Sequence, residues 1–271
     1  MRALEAARFQ DADKYESYLK TPAGRVRSEL AWENLRGFLP PNARERRVLD
    51  LGGGTGSMSV RLAKMGFQVV LLDSSEEMLR IARKEAEASG TAERISFCRA
   101  DANQLHELFE PESLDVVLCH NLLEYVTGPA SIVAGIAIVL RRGGVVSILV
   151  RNRAGEVLKA AIRSGDWEVA KANLSAETVV DSLYGKPVRV FGPKDVMEML
   201  SGPGLHVASQ YGVRVFSDYV DQKDLTSEAS YRQVLELELL LGAQPNFAAI
   251  ARYTQLIARH SSAQSTKGSE R

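Results

Sequence analysis

The sequence predicts an α/β fold, a doubly wound and mostly parallel sheet, and three observations carry that prediction. Apolar runs recur five times in the first 150 residues, at Val48–Leu51, Phe67–Leu72, Ile95–Cys98, Leu114–Cys119 and Val145–Val150. Segments with helical apolar spacing separate them, and this alternation favours crossover units over a barrel or sandwich. The first run breaks into Gly52-Gly53-Gly54-Thr55-Gly56 just before a helical pattern. Glycines there let backbone pass close to a ligand, at the strand end where open α/β sheets bind.

Taken in order, residues 1–42 are read as an N-terminal helical lid. Val26, Leu30, Ala31, Leu35 and Phe38 recur at helical spacing from Arg25, and Pro40-Pro41 stops the pattern. Arg25 and Arg27 lie two apart, so only one of them points inward. Residues 43–150 form a ligand-binding core. After the glycines, Met58, Leu62, Ala63 and Met65 mark a helix ending at Gly66, which suits a C-terminal cap. Ser74 or Ser75 with Glu76 and Glu77 opens the next helix, through Met78, Leu79, Ala82 and Ala86 to Gly90. The fourth strand is almost continuously apolar, as a parallel strand covered on both faces should be, and ends in His120. A further helix through Ile132, Ile136, Ile138 and Leu140 leads to a turn at Arg141-Arg142-Gly143-Gly144 before the fifth strand.

Residues 151–192 lose clear periodicity and read as a substrate-side insertion. Residues 193–259 are expected to complete the core: a helix from Pro193, then Leu205–Ala208 and Gly212–Phe216 as an antiparallel pair, a helix from Tyr231 to Leu241, and a helix or last strand between Phe247 and Ile257. Residues 260–271 read as a disordered tail.

Composition narrows the function little. Apolar content of 45% and charged content of 25% are those of an average globular protein. Thirty-four basic and thirty-four acidic residues cancel, so a nucleic-acid partner has to be met by a local patch. Cys98 and Cys119 sit inside apolar runs without metal-ligand spacing, which predicts buried free thiols and no metal. No apolar stretch approaches the roughly 20 residues that span a bilayer. With no secretory signal pattern at the N-terminus, a cytoplasmic location and no membrane partner are expected.

The glycine loop separates two ligand classes. The dinucleotide fingerprint G-x-G-x-x-G begun at Gly52 needs glycine at position 57, which is Ser57. Gly52, Gly54 and Gly56 instead give G-x-G-x-G, with Asp50 on the strand before the turn. Asp73 ends the second strand, where a carboxylate can accept hydrogen bonds from a ribose. This set resembles the first motif of class I S-adenosylmethionine-dependent methyltransferases, which implies a Rossmann-like fold, S-adenosyl-L-methionine as cofactor and S-adenosyl-L-homocysteine as product.

Within that class the chain resembles the bacterial tRNA 5-carboxymethoxyuridine methyltransferase family. The likeness rests on Gly24-Arg25-Val26-Arg27, Val48–Gly56, His120-Asn121-Leu122-Leu123-Glu124-Tyr125, Asn152, and Gly212-Val213-Arg214-Val215-Phe216 with Asp218-Tyr219. By this resemblance Arg27 contacts the cofactor's methionine carboxylate, Gly52 and Gly53 its backbone, Asp73 its ribose, Asp101 its adenine amine, and His120 the cofactor at the end of strand four. Asp50, Gly54, Ser74, Met78 and Ala102 complete the implied cofactor set. The implied partner is the anticodon loop of tRNA, and the implied reaction is methylation of a wobble-base carboxylate.

A carboxylate is ionised at pH 7 and needs a cationic anchor rather than a base. Arg214, Arg151 and Arg189 are the candidate anchors, since a guanidinium fork matches a carboxylate at two points. Arg214 is expected on a strand, facing away from Val213 and Val215. Tyr184, Tyr219 and Trp167 are candidates to stack on a base. His120-Asn121-Leu122-Leu123 replaces the N-P-P-[YF] pattern of adenine N-methylation, and no Pro-Cys nucleophile for pyrimidine C5 methylation is present. Two alternatives stay open. A small-molecule O- or carboxyl-methyltransferase acting on a small carboxylate suits the neutral charge and the lysine-poor insertion, and a non-catalytic cofactor-binding subunit could keep the same loop.

Overall fold

The structure is a computed structural model, and it describes residues 12–202, 204–221 and 225–261. The expected tail therefore lies almost wholly outside the described residues, as do the first eleven positions of the lid.

Two N-terminal helices, α1 (Ala12–Lys20) and α2 (Pro22–Arg36), precede the sheet. The second begins three residues earlier than the apolar spacing indicates, because Thr21 caps it through a bond from the Gly24 amide and Pro22 supplies a pre-set φ at its first position. Along α2, Arg27 is buried while Arg25 is exposed, as two residues two apart on a helix require. The core then alternates β1 (Arg47–Leu51), α3 (Ser57–Lys64), β2 (Gln68–Asp73), α4 (Glu76–Ala88), β3 (Ile95–Arg99), α5 (Leu105–Leu108), β4 (Leu114–His120), α6 (Pro129–Val139) and β5 (Leu140–Arg151). Ser75 caps α4 by accepting from the Met78 amide, with Glu76 and Glu77 in the first turn, where acids meet the positive end of the helix dipole.

The insertion consists of α7 (Arg153–Leu158), a π-helical turn over Lys159–Arg163, α8 (Trp167–Asn173) and a hairpin of β6 (Thr178–Val180) and β7 (Pro187–Arg189). The chain returns through α9 (Pro193–Ser201), β8 (Leu205–Val213), α10 (Glu228–Gly242), α11 (Pro245–Ala248) and β9 (Tyr253–His260). Strand order in the seven-stranded sheet is β3-β2-β1-β4-β5-β9-β8, with β9 antiparallel to both neighbours and β1 to β5 parallel.

Alternation along the strands builds a core on each face. Leu49, Leu51, Val117, Cys119, Val146 and Ile148 pack with Ile132, Val133 and Ile136 of α6 on one side. Val48, Val116, Leu118, Val145 and Leu149 meet Leu30 and Leu35 of α2, Leu62 of α3 and Leu79 of α4 on the other. All four of these helix side chains are under 2% exposed, which makes Leu62→Ala and its like cost roughly 2–5 kcal/mol each.

The structure corrects three expectations and resolves a fourth. Leu205–Ala208 and Gly212–Phe216 are not an antiparallel pair: the stretch from Leu205 to Val213 is one strand, whose partner is β9. Gly212 lies inside this strand, where a Cβ would strike Ala248 of α11 and only glycine fits. Phe247–Ile257 divides between α11 and β9, with Pro245 starting the first and β-branched and aromatic residues favouring the second. His260, expected in the tail, is instead the last residue of β9 and pairs with Leu205. The turn at Arg141–Gly144 becomes a bulge within β5: Leu114 pairs with Leu140 and Val116 with Val145, leaving four residues looped out around Gly143 at φ +75°.

Candidate active site

Where β1, β2 and β4 end, one cavity of about 530 Å³ opens under α1 and the insertion. That size falls in the range of small-molecule and cofactor sites. Gly52, Gly54, Asp73, Ser74, Met78, Asp101, Ala102, His120 and Arg27 line it, together with Arg151, Arg214 and Tyr184. Asp50 and Gly53 lie behind the glycine loop, on a small hollow of about 40 Å³ that shares Arg27, Gly52 and His120 with the main cavity. Trp167 and Tyr219 do not line the cavity, and Trp167 is 70% exposed on α8.

The loop takes its form from backbone alone. Gly52 and Gly54 have φ of +68° and +54°, which side-chain-bearing residues rarely adopt. The Gly52 amide donates to Leu72 O at 2.8 Å, fastening the loop to the end of β2. A Cβ on Gly54 would point between Tyr15 and Met78, into the cavity. Asp73 closes the cradle: Oδ2 accepts from the Gly54 amide and Oδ1 from the Ser75 amide, both at 2.9 Å. Burial raises its pKa against those amides. Each of its oxygens keeps a lone pair for a further donor, as vicinal hydroxyls require.

Asp50 is buried more deeply. Its Oδ2 accepts from Ser59 Oγ at 2.7 Å, and burial lifts its pKa to about 6. Asp101 is exposed at the rim, where it caps the turn after β3 by accepting from the Asn103 amide. His120 Nε2 does not face the cavity: it is 2.7 Å from Ser147 Oγ. Gln255 Nε2 donates to that same Oγ at 3.0 Å, so Ser147 links the His120 ring to Gln255. Burial first, then Arg27, lowers the His120 pKa to about 3 and keeps it neutral. Cys119, free and buried, has its thiol pKa raised by burial and is no thiolate nucleophile.

The far end of the cavity is built around Tyr253, the first residue of β9. Four guanidiniums, from Arg27, Arg151, Arg214 and Arg252, stand 5.8–5.9 Å from its ring centre. Register explains two of them, since Tyr253 lies between Arg151 of β5 and Val213 of β8, the residue before Arg214. Glu156 and Asp181 pair with Arg151, Glu156 and Asp218 with Arg252, and Asp218 with Arg214. Arg27 enters no ion pair among the described residues and donates to Tyr15 Oη at 2.9 Å. Four arginines therefore face three carboxylates, and Lys159 and Arg163 of the π-turn also line the cavity. A surplus of positive charge in a buried wall is a seat for an anion, because each arginine keeps donors beyond those its acid occupies.

Sequence reasoning placed Arg214 on a strand, facing away from its neighbours. The structure corrects this: it follows the end of β8 at φ +63°, and Val213, Arg214 and Val215 are all buried. Arg189 is not in the cavity at all, for its Nη1 donates to Val126 O at 3.0 Å. Arg252, Tyr253, Glu156 and Asp181 were missed, and Asp218 was marked only as part of the family likeness, because their convergence depends on β9 entering the sheet between β5 and β8. The Arg252-Tyr253 pair at a possible strand start was the one local sign of it. Among the described residues no group of His, Cys, Asp and Glu has metal-site geometry, and no helix is long and apolar enough to cross a membrane.

A model of the methyltransferase domain matches residues 42–201, more than half of the chain. The chain belongs to the class I S-adenosylmethionine-dependent methyltransferases. The tRNA 5-carboxymethoxyuridine methyltransferase of Escherichia coli (strain K12) is 30% identical to this methyltransferase over 261 residues, 94% of this chain and 97% of the relative. The ubiquinone biosynthesis O-methyltransferase of Aliivibrio fischeri (strain MJ11) is 37% identical, but over 40% of this chain and 45% of its own. In fold, the methyltransferase is similar to S-adenosylmethionine-dependent methyltransferases from Thermotoga maritima, with TM-score 0.64 at 16% identity over 95% and 99% of the two chains, and from Mesorhizobium loti, with TM-score 0.57 at 20% identity over 87% and 100%. S-Adenosyl-L-methionine is its cofactor. The donor set suits that molecule: the Gly54 position is open to the cavity, Asp73 has acceptor capacity to spare, and Arg27 is a buried cation without an acid.

Proposed function

We propose that this methyltransferase esterifies the carboxylate of 5-carboxymethoxyuridine at the wobble position of tRNA. The observation that carries the reading is the arginine cluster around Tyr253, a surplus cationic wall in the same cavity as the glycine loop. In this reading Gly52, Gly53 and Gly54 give backbone contact to the cofactor, Asp73 takes its ribose, Asp101 and Ala102 its base, and Arg27 its methionine carboxylate, with Asp50, Ser74, Met78 and His120 beside it. The cofactor supplies an electrophilic methyl group on a sulfonium. The substrate oxygen is already an anion at neutral pH, so no side chain has to remove a proton. What remains is orientation and exclusion of water, and both suit a buried fork of fixed donors.

Arg214 is the assigned anchor for the substrate carboxylate. Its Nη1 donates to Tyr18 Oη at 3.0 Å and its Nη2 to Asp218. That leaves it oriented, with donors to spare. Arg151, engaged by both Glu156 and Asp181, is assigned to holding the insertion against β5. Support for a tRNA substrate comes from the full-length likeness to the Escherichia coli enzyme. The likeness to ubiquinone O-methyltransferases covers less than half of either chain, which leaves a small-molecule acceptor as the second reading. Arg214→Met separates the roles: it should leave S-adenosylhomocysteine affinity intact and lower turnover on carboxymethoxyuridine tRNA at least tenfold, since a charged hydrogen-bonding pair is worth about 1.5–3 kcal/mol. Arg214→Lys should restore little, because an ammonium lacks the fork. Wild-type turnover in Arg214→Met would remove the anchor.

A further inference from the structure

Arg214 is held in a backbone conformation that an arginine seldom takes, φ +63°. Something has to fix it there, and the side chains around the cavity do not act on its backbone. Directly after it, three successive amides, those of Val215, Phe216 and Ser217, donate to one carboxylate at 2.6, 3.0 and 2.7 Å. The carboxylate is Glu238, on α10, fully buried and in no ion pair among the described residues. A buried acid facing backbone amides in place of a cation is costly to hold, so it stays only where those amides need an acceptor.

The helix is brought there by contact between two glycines. A Cβ on Gly242 would stand 2.3 Å from Gly212 O, so α10 meets the end of β8 backbone to backbone. Glu238 lies four residues earlier on the same helix face, which delivers its carboxylate just past Arg214. The Arg252 amide donates to Arg214 O at 2.8 Å, so the Arg214–Val215 peptide is held at its carbonyl as well as at its amide.

We propose that Glu238 is a positioning residue for substrate binding: by gathering the amides of residues 215–217 it holds Arg214 in its left-handed backbone and aims the guanidinium into the cavity. This rests on the reading of Arg214 as the substrate anchor. Glu238 itself touches neither cofactor nor substrate.

The test is a double-mutant cycle of Glu238→Gln and Arg214→Met, read as kcat/KM on tRNA isolated from cells lacking this protein, with the S-adenosylhomocysteine Kd measured alongside. Glu238→Gln keeps the shape but turns an amide group toward backbone donors. It should lower kcat/KM about tenfold while the Kd stays within about twofold. In the Arg214→Met background it should change kcat/KM by less than about twofold, because the residue it acts through is gone. If Glu238→Gln does not fold, Glu238→Asp, which keeps both oxygens one methylene short, is read in the same cycle. Multiplying losses, or a parallel loss of S-adenosylhomocysteine affinity, would reduce Glu238 to a structural residue and overturn the proposal. Arg214→Met at wild-type kcat/KM would instead sink the anchor reading, and Glu238 with it.

Discussion

Gly54 and Asp73 are joined by a hydrogen bond, the Gly54 amide donating to Asp73 Oδ2 at 2.9 Å, so the loop after β1 and the acid ending β2 form one unit. Losing the acid therefore frees the loop and, in the proposed reading, removes an acceptor for the cofactor. Asp73→Ala should weaken S-adenosylhomocysteine binding at least tenfold, since hydrogen bonds to a charged group are worth about 1.5–3 kcal/mol. Calorimetry reads it directly, and an unchanged Kd would leave Asp73 as a strand-end residue only.

Two glycines with positive φ should behave differently when substituted. Gly54→Val places its side chain in the cavity, between Tyr15 and Met78, and should abolish measurable cofactor binding. Gly66, at φ +103°, follows α3 with Arg44 Cγ 3.4 Å from a built Cβ, so Gly66→Ala should lower Tm while the folded fraction keeps its cofactor affinity. Equal losses of affinity per folded molecule would take the loop out of the site.

Asp50 gives a pH signature. Burial raises its pKa from 3.8 to about 6 in the folded state, so between those values the native protein holds a proton that the unfolded chain has released. Stability must then fall as pH rises through that window, by about 3 kcal/mol in all at about 1.4 kcal/mol per pH unit. Asp50→Asn removes this contribution. Denaturant midpoints from pH 4 to 6.5 should show a flatter slope for the variant, and parallel curves would contradict the assignment.

Tyr253 titrates in the opposite sense. Burial alone pushes its hydroxyl up, but Arg151, Arg27, Arg214 and Arg252 together bring it down to about 7. The folded value lies below the ordinary 10, so this group adds stability as pH rises from 7 to 10 and loses it as pH falls through 7. Phenolate absorbance near 295 nm in the cofactor-free protein should show a step with a midpoint near pH 7 that Tyr253→Phe abolishes. A single tyrosine transition near pH 10 in both proteins would show that the arginines do not act on it.

The legible part of this fold was the part set by local pattern. Five strands, a serine cap at Ser74 or Ser75, a single inward arginine of the pair Arg25 and Arg27, and the loop from Gly52 to Gly56 each follow from a periodicity or from a backbone demand within a few residues, and the resemblance singled out Arg27. The arginine cluster was harder, because Arg151 and Tyr253 are neighbours only once β9 slots in between β5 and β8. Arg214 was singled out correctly and oriented wrongly, since nothing local marks the left-handed turn that Glu238 stabilises from α10. Arg189 carried the right charge, yet its guanidinium is taken by a backbone carbonyl of the loop after β4. The short helix α1 went unread: its polar surface hides the contact of Ala12 and Tyr15 with Met78 and Ile81.

The most direct test of the central claim is transfer of a tritiated methyl group from S-adenosylmethionine to total tRNA from cells lacking this protein. The account predicts label in tRNA as an ester released by mild alkali, confined to species carrying carboxymethoxyuridine and reduced at least tenfold by Arg214→Met, as loss of one charged pair requires. Label that survives alkali, or an unlabelled tRNA pool beside an efficiently methylated small carboxylic acid, would contradict it.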